Sequence, residues 1–213
     1  DRAGAGDRFA VVSFDSHLRI WSDFESASPG LRDVLRRRIL FESPPPVEAG
    51  PPPSLVAGLD WSAARRAASM EQALAVLARA LEPITGAKAL VLFAWGYGRI
   101  AGQRVVFEPD LDEAAERLRR SRVAVFALDV TDASHHTLEA GLRTVADATG
   151  GFYASAREFP DVAMARLESS LAGHYVLLVE KPDDRPGTHA IRVEVTRLRA
   201  MVLARPSYTD GPR

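Results

Sequence analysis

The spacing of apolar positions changes period along the chain, and each change marks an element. Arg8 to Asp15 reads Arg-Phe-Ala-Val-Val-Ser-Phe-Asp, a β-branched run that predicts a strand. After the turn Asp15-Ser16-His17, Leu18 to Phe24 alternates apolar with polar, which predicts an edge strand paired antiparallel with the first. Arg19 and Asp23 fall on its polar side, where charge discourages edge-to-edge pairing. From Pro29 the period lengthens to that of a helix. Leu31, Val34, Leu35 and Ile39 form a stripe to about Phe41, with Ser28 as N-cap and Pro29 in the first turn. Leu55 to Arg66 predicts a short helix. Ser69 to Leu81 predicts a longer one, with Ser69 as N-cap, Gln72 completing a capping box, and Pro83 and Gly86 as stop signals.

Lys88 to Gly98 is a continuous apolar run entering a glycine-rich turn, which predicts a central strand buried on both faces. Helical and strand patterns then alternate. Leu111 to Ser121 is an amphipathic helix and Val123 to Val130 a second buried strand. Ser134 to Thr149 is a helix ended by Gly150-Gly151, Phe152 to Ala156 a third strand, and Pro160 to Ala172 a helix. From Tyr175 the period returns to two, over Tyr175 to Glu180, His189 to Thr196 and Met201 to Tyr208. The pattern predicts an α/β fold: an open, doubly wound, mainly parallel sheet over residues 1–173, and an antiparallel β appendage over residues 174–213. In open sheets of this kind ligands bind at the carboxyl ends of the strands, which places a candidate rim at Trp95 to Gly98.

Composition changes this picture mainly by exclusion. With 213 residues and 46% apolar content, a core of ordinary size is available. A net charge of −1 gives no bulk field for nucleic acid. The absence of cysteine removes thiol chemistry, disulfides and thiolate-bound metals. No apolar run approaches the ~20 residues of a membrane span. The compartment is not legible. A strand begins almost at the first residue without a signal peptide, and the chain reads as cut from a longer protein, so an extracytoplasmic location depends on what lies upstream.

Five stretches are candidates for chemistry or binding. Gly96-Tyr97-Gly98-Arg99-Ile100-Ala101 matches the dinucleotide pattern, but the next helix begins only near Leu111, so the glycines are expected to turn the backbone rather than cradle a phosphate. Asp129-Val-Thr131-Asp132-Ala-Ser134-His135-His136-Thr-Leu-Glu139 is the densest polar cluster. It offers ligands for a hard cation, with His136 and Glu139 one helical turn apart; helix capping by Asp132 or Ser134 is the simpler reading. Asp15, Ser16 and His17 are consecutive, which rarely makes a nucleophilic triad. Pro44-Pro45-Pro46 and Pro51-Pro52-Pro53 read as a stiff, exposed polyproline loop, and Arg36-Arg37-Arg38 as a solvated face.

The order of these elements resembles a von Willebrand factor A domain, and more narrowly the bacterial VWFA-related branch. The resemblance rests on Arg8 to Asp15, the capped helix from Ser69, Lys88 to Gly98, Val125 to Thr131, Gly150-Gly-Phe-Tyr153, and a closing stretch near Ala204-Arg-Pro-Ser-Tyr208. It implies a module that binds a protein or other macromolecule through its upper edge, often with Mg²⁺ held by an Asp-x-Ser-x-Ser segment, a Thr and an Asp. Here that segment and its strand are absent, Ser69 stands at the Thr position, and Trp95 to Gly98 has no carboxylate. The expectation is therefore a non-enzymatic interaction or adhesion module with a degenerate metal site. No cofactor is expected unless upstream sequence supplies ligands for Mg²⁺. Its candidate contacts are Ser69, Trp95, Tyr97, Asp129, Thr131, Asp132 and His135. Without the family's first strand, the first two strands are expected to part from the rest. The alternative is a metal-dependent hydrolase or phosphatase built on Asp129, Asp132, His135, His136 and Glu139.

Overall fold

The structure is a computed structural model that describes residues 6–102, 104–107, 110–132, 136–157, 159–173, 175, 177–178, 180, 186–196 and 200–210. The chain divides into two compact units, Asp1–Thr85 and Gly86–Arg213.

In the first unit, β1 (Phe9–Phe14) and β2 (Leu18–Glu25) form a two-stranded antiparallel sheet, as their alternation predicts. Val11 and Trp21 face Leu31 and Val34 in a small core. The helix predicted from Pro29 is present but broken into α1 (Pro29–Asp33), a π-helical turn (Val34–Arg38) and α2 (Ile39–Phe41). Ser28 caps it, accepting the Leu31 N–H at 3.0 Å. A 3₁₀ turn (Val56–Gly58) and α3 (Trp61–Arg66) follow. Helix α4 (Met70–Leu81) starts at the predicted cap and buries most of its surface, including Leu74, Val76, Leu77 and Leu81. Its capping box is shifted by one residue. The Gln72 side chain accepts from the amide of Ala68, not of Ser69.

The proline-rich loop is pinned by Asp23. Its carboxylate accepts from the Gly50 amide at 2.9 Å, the Ser54 hydroxyl at 2.5 Å, and the amides of Leu55 and Val56 at 2.7 and 3.3 Å. Burial works against the charge, but these bonds outweigh it and hold the carboxyl below its usual range. The residue expected to guard an edge instead organises a loop.

In the second unit, β3 (Lys88–Ala94), β6 (Val123–Asp129) and β7 (Phe152–Ser155) form a three-stranded parallel sheet in the order β3-β6-β7. The fold is thus mixed α/β with a parallel sheet and separate antiparallel ones. Contrary to the sequence expectation, β3 is not central. Among the described residues it pairs only with β6, and Phe93 is 57% exposed. The centre belongs to β6, whose Val125, Ala127 and Leu128 are fully buried. Side chains alternate across a strand, so each face of β6 meets a different helix. Phe126 and Leu128 pack with Phe152 against Ala163 and Leu167 of α7 (Pro160–Leu171). The opposite face, carrying Val125, Ala127 and Asp129, meets α6 (Glu139–Thr149), and the Thr149 hydroxyl accepts from the Val125 amide. Helix α6 ends at Gly150, whose φ of 81° is the left-handed cap the glycine pair predicts.

Between β3 and α5 (Asp110–Arg120) lies an antiparallel ribbon, β4 (Arg99–Ala101) with β5 (Arg104–Val106). No helix starts at the dinucleotide-like glycines; the chain turns directly into β4. The C-terminal segment forms a hairpin of β8 (Gly187–Ala190) and β9 (Ser207–Asp210). These strands are shorter than the alternation predicts: the Ile191 amide still donates to the Pro206 carbonyl at 2.7 Å, and residues 192–196 are not strand. The strand expected over Tyr175 to Glu180 falls partly outside them, and its described positions are not strand. The hairpin is tied to α5 by Arg119, which donates to the Ser207 hydroxyl at 3.0 Å.

Candidate functional site

The three parallel strands end side by side. Register pairs Ala94 with Asp129 and Asp129 with Ser155, so Asp129 closes the central strand between two neighbours that stop at the same level. Its side chain is 2% exposed. A carboxylate so buried needs hydrogen bonds, and here both oxygens are engaged. Oδ1 accepts from the Thr131 amide at 2.9 Å and the Thr131 hydroxyl at 2.8 Å. Oδ2 accepts from the Tyr153 hydroxyl at 2.8 Å and lies 2.6 Å from His136 Nε2. Burial opposes ionisation, but the bonds from Thr131, His136 and Tyr153 prevail and hold Asp129 below the usual carboxylate range. An ionised carboxylate only accepts, so Nε2 of His136 carries the proton.

Around this pair the network extends through α6. The Tyr153 hydroxyl also reaches Glu139 Oε2 at 3.2 Å, and Glu139 Oε1 takes the Arg143 Nε–H at 3.2 Å. Arg143 in turn lies over the Tyr153 ring, 4.0 Å from its centroid. Burial, together with the negative charges of Asp129 and Glu139, drives the Tyr153 phenol well above its ordinary value. Tyr153 and Arg143 were not among the sequence candidates. A signal for each existed: Tyr153 pairs with Ala127, two residues before Asp129 on the same sheet face, and Arg143 follows Glu139 by one helical turn.

The structure sorts the predicted residues. It brings together Asp129, Thr131, His136 and Glu139. Trp95 follows β3 directly and is 74% exposed, next to the β6 end, where the Val130 amide donates to the Ala94 carbonyl. Tyr97 is buried, 5% exposed, edge-on to Phe107, so of the aromatic pair only Trp95 presents its ring to solvent. The tight turn between them needs glycine: Gly96 has φ of 105°, and a Cβ there would lie 2.8 Å from the Leu138 carbonyl. Asp132 is not drawn into the cluster or onto a helix end. It is exposed and ion-paired with Arg157 at 2.5 Å. Ser134 and His135 lie outside the described residues. The helix expected from Ser134 starts at Glu139 without a side-chain cap, so His136 sits in the turn ahead of it. Ser69, in the first unit, spends its hydroxyl on capping α4, accepting the Gln72 N–H at 3.2 Å. Ser16 donates to the carbonyl of Asp15 and His17 accepts from Arg19, so that trio forms no nucleophilic relay.

The adhesion-type Mg²⁺ site implied by the resemblance does not fit these residues. Ser69 is committed as a cap, and Trp95 to Gly98 brings no carboxylate. A different cation set does exist. One ligand atom each from Asp129, His136 and Glu139 fall within 4.8 Å of one another, a mixed nitrogen and oxygen set of the kind zinc or manganese accepts. Its oxygens are already hydrogen-bonded, with the Tyr153 hydroxyl between the two carboxylates. Compared with known proteins, the chain matches no family model, no curated protein and no solved structure.

Proposed function

We propose that the chain is a von Willebrand A-like, doubly wound interaction module that captures a protein through the carboxyl-end rim of its parallel sheet. The observation that carries this reading is Trp95, a 74%-exposed indole beside the half-exposed Val130. Tryptophan so placed is the residue type that dominates protein interfaces, because it buries a large area at little entropic cost. The polar groups behind it support a scaffold rather than a reaction centre. Asp129 has its oxygens engaged and Tyr153 resists ionisation, so the network ties the loop after β6 to β7 and α6. The order of strands and helices supports the family reading.

The proximity of Asp129, His136 and Glu139 favours a second reading, a metal-dependent hydrolase. One set of measurements separates the two. Crosslinked capture of partner proteins is compared between wild type and Trp95→Ala, alongside calorimetry with Zn²⁺, Mn²⁺ and Mg²⁺ and a panel of phosphate and carboxylate esters. The module reading expects capture to fall in Trp95→Ala with stability changed by no more than about 0.5 kcal/mol. Metal-dependent turnover that vanishes in His136→Ala transfers the assignment to the hydrolase.

A further inference from the structure

The second unit contains a cavity of about 440 Å³ flanked by Arg143 of α6 and Arg166 of α7, with Phe152, Tyr153, Asp147 and Met201 among its walls. Its lining carries two arginines and one aspartate, and Arg143 is also paired with Glu139. Each guanidinium is fixed over an aromatic ring, Arg143 over Tyr153 and Arg166 over Phe152, both at 4.0 Å to the centroid. Stacking of this kind holds a cation in place without using up its N–H donors.

The donors of Arg166 are poorly matched. Nη2 faces the thioether sulfur of Met201 at 3.2 Å, one of the weakest acceptors in proteins, and Nε is closed to solvent with no acceptor among the described residues. A charged donor closed off from water without an acceptor loses its hydration with nothing in return. Nε and Nη2 together form the edge with which arginine grips a carboxylate or phosphate through two parallel bonds. Met201 therefore covers the Nη2 end of that edge. Its residue is 59% exposed, in a stretch that is neither helix nor strand, and its side chain is unbranched with freely turning bonds. Arg143 is half-exposed and already holds one carboxylate, Glu139, which a ligand anion replaces at small cost.

We propose that this cavity binds a small oxyanion, a phosphate or carboxylate group, gripped side-on by Arg166 once Met201 swings aside, with Arg143 as the second cation. The site shares Arg143 and Tyr153 with the Asp129 network but uses neither Trp95 nor Val130, and stands whether or not Trp95 captures a protein.

The test is calorimetric titration of the full chain at low ionic strength with inorganic phosphate and, separately, with acetate. At least one anion is expected to bind. Arg166→Lys keeps the charge but loses the fork, and is expected to weaken binding at least about tenfold. Arg36→Ala, which removes an exposed arginine outside the cavity, is expected to leave it unchanged. Met201→Ala, in an exposed irregular stretch, is expected to tighten binding, and it decides the matter if Arg166→Lys unfolds. The proposal is overturned if neither anion binds, if Arg166→Lys binds as wild type does, if Arg36→Ala loses as much, or if Met201→Ala fails to tighten binding.

Discussion

Asp23, near the end of β2, and Asp129, at the end of β6, are both carboxylates held in their charged form by hydrogen bonds that outweigh burial. Their partners differ. Asp23 is held by backbone amides of Phe24, Gly50, Leu55 and Val56, plus one hydroxyl from Ser54. Such partners neither titrate nor move independently, so the bond set is a clip that fixes the proline-rich loop to the hairpin. Asp129 is held mainly by side chains, from the β6–α6 loop and from β7. Two of those, His136 and Tyr153, are long side chains from separate elements, and Tyr153 passes the contact on to Glu139 and Arg143. The same residue type thus builds a local fastening in one unit and a side-chain network in the other, because only the second surrounds its carboxylate with side chains that carry the contact onward to further charged groups.

The comparison breaks most visibly at Asp129. Asp129→Ala leaves the His136 N–H, the Tyr153 hydroxyl and the Thr131 groups without their buried acceptor, and is expected to cost about 3 kcal/mol in urea unfolding. A loss below about 1 kcal/mol means the network does not organise the second unit. Asp23→Ala is expected to cost less, about 2 kcal/mol, since its site is partly solvated and water replaces some of the lost bonds. Its signature is local: limited proteolysis should shift to residues 43–54, and unchanged cleavage there contradicts the clip.

The smallest effect sharpens the contrast between clip and network. Both carboxyls are depressed in the folded state, so their contribution is present above the unfolded value near pH 4 and is lost as pH falls through the folded values. Acid lability is therefore shared. Alkaline lability belongs to the network alone. The Tyr153 phenol is raised in the folded state, so its contribution is intact below about pH 10 and declines as pH rises beyond it. Tyr153→Phe is expected to cost about 1 kcal/mol at pH 7 and to flatten that alkaline limb in thermal melts. A limb that survives the substitution has another source.

Much of the second unit was legible in the sequence. Runs such as Val123 to Val130 and amphipathic stretches such as Leu111 to Ser121 fold as their periods predict, because local pattern and burial agree there. Periodicity misplaced β3. An apolar run predicts burial on both faces, but whether a second strand flanks it is not a local property. Periodicity also overextended α6, since the polar residues after Asp129 have helical spacing while Asp129 claims Thr131 and His136 from the turn.

The sequence by itself determined where β1, β2, β3, β6, β7 and most helices lie, that β6 ends in a polar stretch, and that Ser28, Ser69 and Gly150 terminate helices. These are decided within a few residues, by side-chain period and by the unpaired groups at helix ends. Only the tertiary structure decided that β6 takes the centre, that Tyr97 is buried and Trp95 exposed, that Asp132 leaves the cluster, and that Tyr153 and Arg143 enter it. Those outcomes depend on which strands stand next to one another. Strand order and register set the neighbours of Asp129, and residues far apart in the chain meet there only after the sheet has formed.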